Sequence, residues 1–209
     1  MQTEHHHIAN HDGWKLSLHQ SWDPATFQPS RRPVLIVPGY GMNSFIFSFH
    51  PRGVSLESYL VSRGFEVWRA DLRGQGGSLR AGGSHAWGLA DLCATDLTAA
   101  LDAVRMRTRS ERGARTRVDV IGASLGATLL FGHAALKGTA RLGSLVSLGG
   151  PLRWVKVHPL VRVAFGLERV AGMVVMKGTR TLAELALPVL AKRAPSLLRI
   201  YMNPLITDT

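Results

Sequence analysis

The spacing of apolar and polar positions along this 209-residue chain changes period several times. Between residues 5 and 22 the two alternate about an Asp12-Gly13 turn, with Ile8 before it and Trp14, Leu16 and Leu18 after it, the pattern of two strands joined as a hairpin. The Pro- and Ser-containing stretch Pro24 to Pro33 interrupts that pattern. Val34-Leu35-Ile36-Val37 then runs apolar without a break, as a parallel strand buried on both faces does. Ser55 to Arg63 (SLESYLVSR) predicts a short helix with Ser55 as N-cap, Ser58 where a capping box would prefer Glu, and Gly64 at its end. Phe65-Glu66-Val67-Trp68 predicts the next strand. Trp87 to Arg107 predicts a helix whose apolar stripe is Leu89, Leu92, Leu97, Leu101 and Val104, with Asp91, Asp96 and Asp102 on other faces. Val118, Val120 and Ile121 form a short β-branched run, followed by Gly122-Ala123-Ser124-Leu125-Gly126 and an Ala- and Leu-rich helical stretch that ends near Gly138. Leu142 to Gly150 (LGSLVSLGG) reads as one more buried strand. Strands and helices therefore alternate from Val34 onward, which predicts an α/β protein with a mostly parallel sheet and helices on both faces. From Pro151 the pattern is helical, rich in Leu, Val and Ala, and broken by Gly166, Gly172, Gly178, Pro188 and Pro195.

Composition adds that this is a chain with a core, since 45% of its residues are hydrophobic and 19% charged. The uncharged stretch Val120 to Leu136 is too short to span a bilayer and contains the glycines of a turn, so no transmembrane segment is expected. The opening MQTEHHHIANHDGWK lacks an apolar core of a secretory signal, and a lone Cys93 cannot form an internal disulfide; both lead to the expectation of a cytoplasmic protein. His5, His6 and His7 are adjacent in a strand, where neighbours point to opposite faces, so they form a poor chelate and no metal is expected.

The net charge of +11 is carried mainly by arginine, 20 of the 25 basic residues. Arg105, Arg107, Arg109, Arg112, Arg115 and Arg117 crowd the segment before Val118. Such a cluster suits nucleic acid or an anionic surface, but it has no interleaved aromatic residues and no nucleic-acid motif. A solvated, arginine-biased connection is the favoured reading, and no nucleic-acid partner is expected.

The stretch that carries chemistry is VDVIGASLGATLLF. Strand, G-x-S-x-G and helix in that order describe a nucleophile elbow: the turn is so tight that the positions two before and two after the serine, Gly122 and Gly126, have no room for side chains. The Ser124 hydroxyl would then stand at the head of the sheet above a helix N-terminus, whose N–H groups favour a developing oxyanion. Pro38-Gly39-Tyr40-Gly41-Met42-Asn43 follows the buried strand at Val34, and Tyr40 N–H is a candidate oxyanion donor. Asp71 lies in a turn with three glycines and precedes the serine, so it reads as structural.

VLIVPGYGMNSFIF, SLESYLVSRGFEVWRADLRGQGGS and VDVIGASLGATLLF resemble, in order and spacing, the α/β-hydrolase superfamily, most closely its lipase-like members, the acid lipases and related bacterial hydrolases. The resemblance covers Arg32 to about Pro151. It implies an enzyme that cleaves an ester or acyl bond through an acyl-enzyme on Ser124, with the N–H groups of Tyr40 and Leu125 as oxyanion hole, no cofactor, and an apolar acyl or ester substrate. Polyhydroxyalkanoate synthases are similar through the same stretch but carry Cys at the elbow, so Ser124 argues for hydrolysis.

The family order of serine, then acid, then histidine is not met. The acids after Ser124 are Glu168, Glu184 and Asp208, and the histidines are His133 and His158. His133 lies nine residues along the helix, roughly 13 Å of rise from the serine, which leaves His158 as a low-ranked base. The expected layout is a hydrolase core at 1–151 and part of a helical cap at 152–209, truncated after about the sixth strand. A complementary chain or C-terminal segment would supply Asp or Glu and His, without which the chain is expected to be inactive. Two other readings stand beside this one: a non-catalytic binding or assembly module on the same fold, and an acyltransferase using the same serine.

Overall fold

The fold is known from a computed structural model, and the structure describes residues 1–152. The opening alternation forms an antiparallel hairpin, β1 (Gln2–Ala9) and β2 (Trp14–Trp22), with Ile8 opposite Leu16 and His5 opposite His19. β3 (Val34–Val37), β4 (Val67–Asp71), β6 (Val118–Ala123) and β7 (Leu142–Leu148) complete the sheet in the order β1-β2-β4-β3-β6-β7, and a two-residue strand β5 (Leu79–Arg80) pairs with β2. β3 is parallel to both β4 and β6, and β6 is parallel to β7. The sheet is mixed and mostly parallel, and helices cover both of its faces.

The continuous apolar runs belong to strands that bury both faces, and their residues divide by parity. Leu35, Val37, Trp68, Ala70, Val118 and Val120 join the larger core cluster, with Leu97, Leu101 and Val104 of α3 (Leu97–Arg107) and Leu129 and Leu130 of α4 (Leu125–Lys137). Val34, Ile36 and Val67 turn to the other face and meet Val61, Leu56 and Leu60 of α1 (Leu56–Ser62). Alternate side chains of one strand thus serve two cores, so neither face of β3 or β4 has room for an unpaired polar group.

α1 starts where the sequence predicts, with the Ser55 side chain accepting from Ser58 N–H and Gly64 ending it at φ +87°. The following strand starts two residues later than expected. Phe65 N–H donates to Leu60 O and Gly64 N–H to Val61 O, so the helix C-terminus consumes these residues before β4 can begin. The long helix is also not uniform: Leu89–Asp91 (α2) passes through a π turn, Leu92–Asp96, into α3. Leu89, placed on the apolar stripe by periodicity, is 56% exposed, whereas Asp96 is fully buried.

Asp96 is buried because a cation reaches it. Arg73, from the turn after β4, donates its backbone N–H, Nε and Nη2 to the Asp96 carboxylate, with Nη2···Oδ1 at 2.7 Å, and Asn10 Nδ2 adds a further donor at 2.6 Å. Arg73 also donates to Asp12 in the hairpin turn. A charge on a helix can enter a core when its partner arrives from elsewhere in the chain, and helical periodicity carries no trace of that partner.

The histidines of β1 divide as the pleat requires. His6 stacks on Trp68, with ring centroids 5.3 Å apart, while His5 and His7 share the other face with His19, at 4.5 and 4.6 Å from His5. Among the described residues, no group of three or more His, Cys, Asp or Glu side chains is placed to hold a metal ion, and no helix is long and apolar enough to cross a membrane. The expected cap beyond residue 152, and His158 with it, lie outside the described residues.

Candidate active site

β6 runs up the middle of the parallel region between β3 and β7, and the chain reverses at Ser124 into α4. Ser124 has φ +50° and ψ −121°; of the described non-glycine residues, only it and His11 have positive φ. A side chain in this region costs on the order of 1–3 kcal/mol and persists where the surroundings over-determine it. Here Ser124 N–H donates to Leu148 O at 2.8 Å, and Ser124 O accepts from Ala127 N–H at 3.0 Å, so both backbone groups of the strained residue are fixed.

The flanking glycines are required by close approach. A Cβ on Gly122 would stand 2.4 Å from Ala127 Cα, and one on Gly126 would stand 2.3 Å from Val37 O and 2.5 Å from Pro38 O. The helix therefore rises directly against the ends of β6 and β3, and Ser124 is left exposed at the turn. Leu125 is the first residue of α4, so its N–H belongs to the turn of donors that no intrahelical carbonyl satisfies.

The loop after β3 lies against this junction. A Cβ on Gly39 would come within 3.1 Å of Ser124 Cβ and 3.0 Å of Ala123 O, and Gly41 takes φ +68°. Three groups hold the loop from behind. Gln75 Nε2 donates to Gly39 O at 3.1 Å, and Gln75 Oε1 accepts from Leu72 N–H at 3.0 Å. Asp71 accepts from Ser44 N–H at 2.6 Å and from Gly77 N–H at 3.1 Å. Arg69, paired with Glu57 at 2.7 Å, donates to Ser44 O. Asp71 thus stands in the structural role read from the sequence. Gln75 and Arg69 were not singled out there; the only sequence signal was their place in and before the glycine-rich turn Asp71–Gly77.

Ser124, Leu125, Tyr40 and the two glycines are brought to one end of the sheet, at the C-terminal ends of β3 and β6. A base is not. Among the described residues, no side chain hydrogen bonds the Ser124 hydroxyl. His133 points into the core, fully buried, with Nδ1 at 2.8 Å from Cys93 O and Nε2 without a partner. Burial holds its pKa below the ordinary histidine value, against the opposing effect of that hydrogen bond. Cys93 lies inside the π turn, and its carbonyl accepts this hydrogen bond from His133.

A family model described as "Alpha/beta hydrolase family" matches residues 34–205. Among functionally curated proteins, none matches the sequence. Among solved structures, the chain is similar to a thermophilic esterase from Thermogutta terrifontis, at 19% identity and TM-score 0.56 over 95% of this chain and 64% of that one. It is also similar to an esterase from Exiguobacterium antarcticum, at 20% identity and TM-score 0.52 over 69% of this chain and 44% of that one. An epoxide hydrolase from Vigna radiata matches at 16% identity and TM-score 0.51, over 79% of this chain and 46% of that one. The chain spans about half the length of most of the solved structures it resembles.

Proposed function

The chain belongs to the alpha/beta hydrolase family, and from that premise we propose that it is the part of a lipase-like serine hydrolase that carries the nucleophile and the oxyanion hole for cleaving an ester or acyl bond. The observation that carries this reading is Ser124 itself: an exposed hydroxyl on a residue at φ +50°, between the end of a central strand and the start of a helix. A strained backbone at an exposed nucleophilic side chain is the arrangement that presents an Oγ to a substrate carbonyl.

In this mechanism Ser124 Oγ attacks the carbonyl carbon while its proton passes to a base. The negative charge that forms on the carbonyl oxygen is met by Leu125 N–H, reinforced by the positive end of α4, and by Tyr40 N–H from the loop that Gln75, Asp71 and Arg69 brace. Collapse expels the alcohol, which takes the proton from the base, and water then releases the acid from the acyl-enzyme by the same sequence of steps. The base and the acid that orients it come from outside residues 1–152, either from residues 153–209, where His158 is the candidate base, or from a further segment. In the division proposed here, residues 1–151 are the core and residues 152–209 belong to a helical cap.

Ser124→Ala tests the assignment in any active assembly that contains the chain. Turnover of a p-nitrophenyl ester should fall by several orders of magnitude while circular dichroism stays unchanged, because the bond-forming atom is removed. Full turnover in the alanine variant would falsify the role of Ser124. One observation favours a second reading, a non-catalytic module on the same fold: among the described residues nothing accepts the Ser124 proton. A serine-reactive phosphonate separates the two, since stoichiometric labelling at Ser124 requires an activated hydroxyl and the module would remain unlabelled.

A further inference from the structure

At the opposite end of the sheet from Ser124, where β3 and β6 begin, three connections meet around a cavity of about 340 Å³ lined by Ser30, Arg31, Arg32, Phe65, Arg112 and Asp119. We propose that this cavity is a binding site for a phosphoryl group, a function separate from hydrolysis at Ser124.

The arginines differ in what they already hold. Arg32 is committed: its Nε donates to Asp119 Oδ1 at 2.9 Å, and the same oxygen accepts from Ser144 N–H at 2.6 Å. The one carboxylate in the lining is therefore used up by the one arginine beside it. Arg31 is oriented but not neutralised. Its guanidinium lies 4.5 Å from the Phe65 ring centroid, and its Nε donates to the uncharged Gln28 Oε1 at 2.6 Å, which leaves the Nη groups as donors. The Arg112 side chain makes no hydrogen bond and no ion pair among the described residues. Three guanidinium groups against one carboxylate leave two positive charges facing one small space, the complement of a dianion.

The walls are fixed to one another. Pro29 O accepts both Ser110 Oγ at 3.1 Å and Glu111 N–H at 3.0 Å, which ties the segment before Arg31 to the segment before Arg112. Asp119 N–H donates to Pro33 O at 2.9 Å, and Val34 N–H donates to Glu66 O, next to Phe65, at 2.9 Å. Donors on braced backbone lose less freedom on binding than donors on free loops. Guanidinium forks approaching from two connections suit a tetrahedral, doubly charged oxyanion, whose several oxygens each accept two donors. The volume stands at the small end of the range for small-molecule sites and exceeds what a bare phosphate fills.

The test is isothermal titration calorimetry on the full 209-residue chain at fixed ionic strength, with inorganic phosphate and glycerol 3-phosphate as probes and chloride as control. Saturable binding of phosphate is expected, weakened at least tenfold in Arg112→Gln, whose melting temperature should match the parent because that side chain makes no hydrogen bond or ion pair among the described residues. Arg31→Gln should weaken binding as well. A monoester that binds more tightly than phosphate identifies a phosphorylated small molecule as the natural ligand; equal or weaker binding identifies free phosphate. The proposal is overturned by heats no different from those of chloride, by unchanged affinity in Arg112→Gln, or by tighter, Arg112-dependent binding of duplex DNA, which would make the cluster a nucleic-acid contact. Phosphonate labelling of Ser124 is measured on the same variants and should be unaffected, so failure of the phosphoryl site and failure of the hydrolase reading are distinguishable.

Discussion

At Gly126, one missing atom decides whether α4 can reach the sheet. An added Cβ would stand 2.3 Å from a backbone oxygen of β3, and neither side can yield without moving a strand or a helix. Gly126→Ala should therefore destabilise the fold by at least about 1–3 kcal/mol, seen as a lower urea midpoint with little change in slope. His133 makes a prediction of a different kind. Burial lowers its pKa, and His5 and His19 are lowered by burial too, with neighbouring imidazoles (His5) or Arg69 (His19) acting in the same direction. These groups take up protons in the unfolded chain before the folded one. Their stabilising effect is complete above the ordinary histidine value of 6.5 and is lost as pH falls from there through their lower folded values. Glu66 has the opposite sign: burial raises its pKa, so its contribution is present below the ordinary value of 4.5 and lost as pH rises through the folded one. Between pH 7 and 5 the melting temperature should fall. His133→Phe should make that fall shallower while lowering stability at pH 7 by about 1–3 kcal/mol, the cost of leaving the Cys93 carbonyl unsatisfied. Parallel melting curves for parent and variant across that range would disprove a titrating His133.

At the scale of elements, the Arg73–Asp96 pair joins three pieces that share no local sequence signal: the hairpin turn through Asp12 and Asn10, the exit of β4 through Arg73, and the π turn through Asp96. Each side chain is buried, with 1% and 0% of its surface exposed, so removing one strands the other. Asp96→Ala should cost about 3–5 kcal/mol, measured by chemical denaturation. The double variant Asp96→Leu with Arg73→Met should recover most of the loss, since a paired charge in a core is often no better than apolar groups of similar volume. Element boundaries, by contrast, are set locally at both ends of α1: Ser55 caps its start, and the bonds from Gly64 N–H to Val61 O and from Phe65 N–H to Leu60 O at its end delay the start of β4.

At the scale of the molecule, the two edges of the sheet are unlike. β1 closes one side with Thr3, Glu4 and three histidines, polar groups that discourage further pairing. β7 pairs with β6 alone among the described residues, and its Val146 and Leu148 are 45% and 44% exposed. If a complementary strand belongs there, the 209-residue chain by itself should self-associate as concentration rises, and Val146→Lys should reduce that. Size-exclusion chromatography with light scattering reads both. A parent chain that stays monomeric across the concentration series would show the edge to be already covered.

The sequence by itself determined the order of strands and helices, the parallel character of the sheet that this alternation implies, and the glycine-flanked serine at the strand-to-helix turn, because each is read from a period along one element, from the alternation of elements or from interactions within a few residues. The tertiary structure alone decided that Asp96 is buried and Leu89 exposed, that His133 serves a carbonyl in the core, that Gln75 and Arg69 brace the loop beside Ser124, and that Arg112 joins the distant pair Arg31 and Arg32 at one cavity. The physical reason is common to all four. Whether a polar side chain is buried, braced or free depends on a partner brought by another segment, and the distance between those segments is fixed only when the sheet closes them together.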